Sequence, residues 1–72
     1  MTKLEEIKSC LTPSTKVYMC QQLLNIDLQL AMDKGEFTLK YGSETLIVTK
    51  SEKLVNLAIE VFVSGFLSAK LP

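Results

Sequence analysis

The groups in this chain that could do chemistry are two thiols, Cys10 and Cys20, and eight carboxylates set against eight ammonium groups; there is no histidine. Acid–base catalysis near neutral pH is most readily built on imidazole, and a structural zinc site takes four thiolate or imidazole ligands, so two cysteines alone complete neither. Nine residues lie between the thiols, where a Cys-x-x-Cys redox motif has two. No Walker-type or GxGxxG phosphate loop occurs, and no spacing sets two carboxylates together as an acid–base pair. A nucleophile beside a base, a carboxylate pair or a metal is the minimum for a site, so the chain reads as non-enzymatic, with no catalytic residue, cofactor or metal. Cys10 and Cys20 are expected to be reduced, buried packing residues, with a Cys10–Cys20 crosslink as the lesser alternative.

The charges point away from nucleic acid. All eight cations are lysines, none is arginine, and the net charge is zero without a basic or acidic block. The bidentate guanidinium that grips phosphates and guanine edges is therefore missing. The opening residues MTKLEEIKSC lack the apolar stretch behind basic residues that marks a secretory signal, which makes a cytoplasmic location the expectation.

Seventy-two residues hold one domain, 1–72. A core of that size seldom supplies more than about 3–5 kcal/mol of net stability, so further support is expected. With metal and a disulfide framework set aside, an apolar fraction of 47% points to oligomerisation.

The elements that must position these residues read as α+β in the order α-α-β-β-α, an antiparallel β-hairpin packed on helices. Thr2 and Glu5 form a capping box that starts a first helix with Leu4, Ile7 and Leu11 on one face, ending before Pro13. Thr12 caps a second helix with Pro13 at its first position, predicted to run to Lys34 and stop at Gly35. At 100° per residue its apolar arc holds Val17, Met19, Cys20, Leu23, Ile26 and Leu30, with Asp27 in the middle as an anomaly. Such a buried carboxylate either sits at a groove that reaches water or binds a lysine across a dimer interface. The opposite face carries the amides Gln21, Gln22, Asn25 and Gln29, a surface that a protein partner can meet with less desolvation than a charged one.

Residues 36–49 read as a hairpin turning at Gly42-Ser43 in a type II′ turn. Tyr41 opposite Glu44 then sets Leu39 against Leu46 and Phe37 against Val48, leaving Ile47 alone on the wrong face. Thr49 and Glu52 make a second capping box for a third helix extending to about Lys70. That helix is apolar over roughly 200° of its circumference, more than one small sheet can cover, and Leu57, Leu67 and Leu71 fall even among its polar residues. Sixteen residues between Lys53 and Lys70, broken by Asn56 and Glu60, are too few to span a bilayer. The second side of this helix is therefore assigned to another copy of the chain, through Val55, Ile59, Phe62 and Phe66, with Gly65 allowing close helix approach.

The function these features imply is a small interaction module, a regulator or adaptor acting as a homodimer on a further, unidentified protein. The alternatives are a nucleic-acid-binding regulator and an accessory subunit of an enzyme or assembly.

Overall fold

The computed structural model describes residues 2–69. Thr2 does start the first helix, α1 (Lys3–Lys8): its Oγ1 accepts from the Glu5 N–H at 3.1 Å while Glu5 Oε1 accepts from the Thr2 N–H at 3.3 Å. The capping box thus satisfies amide groups that a six-residue helix could not pair internally. Lys8 ends it, and Leu11 lies in the following loop, 89% exposed, instead of continuing the Leu4–Ile7 face.

Thr12 caps α2 (Pro13–Leu24), accepting from the Thr15 N–H at 3.2 Å, with Pro13 in the first turn. This helix ends ten residues before Lys34, where the pattern placed its end. Asn25 adopts the left-handed conformation, φ 53°, and stops it. Asparagine tolerates that region better than any residue except glycine, so the stop signal was present in the middle of the apparent helix. Beyond it the segment becomes β1 (Leu28–Asp33), in which Leu28 is buried, Gln29 exposed and Leu30 half-buried. The same residues fit a 3.6-residue and a 2-residue period over so short a run, and sheet pairing selects the second. Asp27 ceases to be an anomaly, because it is exposed and accepts from Gln29 Nε2 at 2.9 Å.

Lys34 and Gly35, both at positive φ (53° and 79°), make the tight turn from β1 into β2 (Glu36–Tyr41). Gly35 therefore serves a hairpin and not a helix end. Gly42, at φ 60°, opens the next turn into β3 (Glu44–Thr49). The result is a three-stranded antiparallel sheet in the order β1-β2-β3 and an element order α-α-β-β-β-α.

Tyr41 pairs with Glu44 as expected, but the register then shifts. Lys40 pairs with Thr45 and Leu39 with Ile47, so Leu46 is the extra residue of a β-bulge. Phe37 consequently faces Thr49, not Val48. The bulge resolves the misplaced Ile47 by bringing it to the inner face beside Leu39, while Val48 turns outward opposite Thr38 and stands 50% exposed.

The last helix, α3 (Glu52–Ala69), begins two residues later than the Thr49 box implied. Ser51 Oγ accepts from the Leu54 N–H at 3.2 Å, and Thr49 Oγ1 instead accepts from the Ser51 N–H at 3.0 Å. Lys70 and Leu71 lie outside the described residues. The helices α2 and α3 cover one face of the sheet and α1 packs across both of them, so that together they enclose Ile7, Val17, Cys20, Leu28, Leu39, Val55, Ile59 and Val63.

Candidate interaction surface

The inward side of α3 is fixed by helical spacing. Val55, Ile59 and Val63 follow one another at four-residue intervals and are wholly buried. Phe62 and Phe66 flank them, half-buried: Phe62 lies 5.0 Å from the Tyr41 ring and 6.3 Å from Phe66. The four residues assigned from sequence to a second copy are thus divided by the fold. Val55 and Ile59 have no surface to offer, Phe62 packs on the core and the Tyr41 ring of β2, and Phe66 stacks on Phe62.

The outward side of the same helix carries Leu54, Leu57 and Val61, which are 50%, 55% and 63% exposed. They are spaced three and four residues apart, so they form one strip. The bulge adds to it. Two residues of β3 oppose one of β2 there, and Leu46 and Ile47 both line an apolar groove with Leu54, Leu57, Ala58, Val61 and Phe62. On the other side of Leu57 the helix presents Lys53, Asn56 and Glu60. Leu57 is therefore the crest between an apolar flank and a charged one. The sequence signal for this strip was Leu57 itself, an apolar residue among the polar ones.

The amides predicted to meet a partner are also separated. Gln21 and Gln22 remain exposed on α2, Asn25 is its cap, and Gln29 stands on β1. Gln21 is already engaged, its Nε2 donating to Leu28 O at 2.7 Å, which closes a carbonyl of β1. Between α2 and β1 this leaves a shallow polar groove lined by Ser14, Val17, Tyr18, Gln21, Gln29 and Leu30.

Inside the helical layer sits a group that sequence reading missed. Lys16 is 3% exposed, and its ammonium donates to Lys8 O at 3.3 Å and to Cys10 O. Glu60 Oε2 lies 3.7 Å away. The ammonium thereby receives the carbonyls released at the end of α1 and ties α1, α2 and α3 together. One turn along α2, Cys20 is buried, and burial is the main reason its thiol pKa rises from 9.0 to about 11. The neighbouring Cys10 raises it further, while a backbone hydrogen bond and Lys16 oppose the change. Both cysteines are free thiols, but Cys10 is only half-buried and its Sγ lies 3.5 Å from Glu6 O. Among the described residues no three His, Cys, Asp or Glu side chains gather as metal ligands, and no helix is long and apolar enough to cross a membrane.

Comparison with known proteins gives no relative: no family model matches the chain, and no significantly similar curated protein or solved structure was found.

Proposed function

We propose that the chain is a non-enzymatic interaction module, a regulator or adaptor that acts as a homodimer through the outer face of α3 and the adjoining flank of β3. The observation that carries this reading is the strip of Leu46, Leu54, Leu57 and Val61, which the chain's own fold leaves open beside the bulge. Isolated exposed leucines need no explanation, but a connected apolar surface on a domain this small marks an association site. The bulge also argues for helix-mediated contact over strand addition, because an extra residue disrupts the ladder that a new strand at the β3 edge would extend. The polar groove between α2 and β1 is left on a different side of the molecule for the protein that such a dimer would regulate or recruit.

Size-exclusion chromatography with light scattering tests the reading directly. The wild-type chain should elute as a dimer at micromolar concentration. Leu57→Glu should give a folded monomer, because the substituted residue is exposed in the single chain and only association would desolvate the carboxylate. A wild-type monomer throughout that range overturns the proposal.

A further inference from the structure

The homodimer reading leaves open how two copies would meet, and the distribution of charge on α3 narrows it. At 100° per residue, Lys53 and Glu60 lie about 40° and 60° to one side of Leu57, and Val61 and Leu54 about 40° and 60° to the other. One flank is charged with both signs, the other is apolar and continuous with Leu46. If two such helices ran parallel about a two-fold axis, the charged flank of each would face the apolar flank of the other. An antiparallel pair keeps like flanks together, because its two-fold axis is perpendicular to the plane of the helices and carries each flank onto the same side of the partner.

Resting on that reading, we propose that the occupant of this face is a second copy packed antiparallel on α3, with Lys53 of each chain against the partner's Glu60. This register places Lys53 and the partner's Glu60 at one height, and the axis passes midway along the helix between Lys53 and Glu60 of the same chain, beside Leu57. Shifting the helices to set Glu60 against the partner's Glu60, or Lys53 against the partner's Lys53, opposes like charges. Only the Lys53–Glu60 alignment satisfies both flanks, since it also brings Leu54 and Leu57 against the same pair of the partner. Glu60 can serve two lysines. Its side chain touches Lys16 on the inner side and still keeps 29% of its surface open on the outer one.

Two cysteine variants read the geometry without disturbing the core, and oxidised glutathione supplies the disulfide that exchanges with their thiols. Leu57→Cys stands next to the axis and should crosslink to itself; Ser64→Cys, on the same exposed face, should not. With a rise of 1.5 Å per residue, antiparallel packing holds the two Ser64 positions roughly 22 Å apart, far beyond the reach of a disulfide. Wild-type chain under the same oxidant controls for Cys10 and Cys20. In parallel, Lys53→Glu should weaken association at least tenfold and Lys53→Gln by less, because Gln removes the attraction to the partner's Glu60 without opposing it with a like charge, and neither substitution touches the Lys16–Glu60 contact. Crosslinking of both cysteine variants would establish a parallel pair and overturn the arrangement. A wild-type dimer that yields no Leu57→Cys crosslink, or a Lys53→Glu variant that associates as tightly as the wild type, overturns it while leaving the homodimer standing. A wild-type chain that is monomeric by light scattering removes both.

Discussion

Lys16 is an ammonium ion held where an apolar side chain would ordinarily sit, and its partners decide what removing it does. Lys16→Met keeps most of the side-chain volume but leaves Lys8 O, Cys10 O and Glu60 without their donor. The expected loss is about 2–4 kcal/mol, the usual range for stripping one partner from buried polar groups. Urea denaturation measures it, and a loss under about 1 kcal/mol would mean that water replaces the ammonium. Nothing in the sequence announced this residue, because its partners are mostly main-chain carbonyls, which no side-chain pattern reports. Cys20 was more legible, as a small apolar position in a helix, and its environment sets a pH dependence. The folded thiol has its pKa raised from 9.0 to about 11, so ionisation favours the unfolded chain. The contribution of Cys20 is fully present below about pH 9 and is lost as the pH climbs towards 11. The thermal midpoint of the wild type should therefore fall over that window relative to Cys20→Ala. At pH 8 a thiol pushed up to about 11 is scarcely ionised, and Cys20 is buried where Cys10 is half-buried, so a disulfide reagent should label Cys10 well before Cys20.

At the level of elements, what could be read in advance and what could not separates by range along the chain. Local signals carried through: Thr2 with Glu5, Thr12 with Pro13, and Gly42 at its turn each act within four residues and appear as expected. The errors arose where two local answers were both permitted. Asn25 suits the polar face of a helix as well as a left-handed cap, and Leu28, Leu30 and Met32 fit either period. The choice falls to β2, which pairs along the whole of Leu28–Asp33. The same holds for β3, where an unbroken ladder leaves Ile47 on the wrong face and a bulge at Leu46 is the way to turn it inward. The residues that α3 leaves exposed were misassigned by the same cause. The width of the apolar arc on α3 put apolar residues on more than one side of it, but which side meets the sheet depends on the bulge and on the helices α1 and α2. Asn25 gives the test of this level. Asn25→Ala should destabilise the protein by about 1 kcal/mol, as a Cβ without a compensating polar group is forced into the left-handed region, while Asn25→Gly should be near neutral. If Ala is tolerated as well as Gly, the left-handed stop is not what separates α2 from β1.

For the molecule as a whole, the small core and the open strip on α3 are two aspects of one arrangement. The core cluster among the described residues takes five of its eight side chains from α2 and α3, one each from α1, β1 and β2 (Ile7, Leu28 and Leu39), and none from β3. The sheet and the other two helices meet only the inward side of α3, and its outward side leaves Leu54, Leu57 and Val61 uncovered. If a second copy covers them, folding and association share one equilibrium, and stability must depend on concentration. The size of that dependence follows from chain length. Unfolding entropy of about 2.1 cal/mol/K per residue gives roughly 0.3 kcal/mol/K for a dimer of this chain, and each tenfold increase in concentration adds about 1.4 kcal/mol to its dissociation and unfolding. The thermal midpoint should therefore rise by about 5 °C for every tenfold increase between 1 and 100 micromolar, where a monomer would show no change. Leu57→Glu should flatten the curve at a lower midpoint. A wild-type midpoint independent of concentration over that range would mean that α1, α2 and the sheet stabilise α3 by themselves, and that the apolar strip is borne as exposed surface.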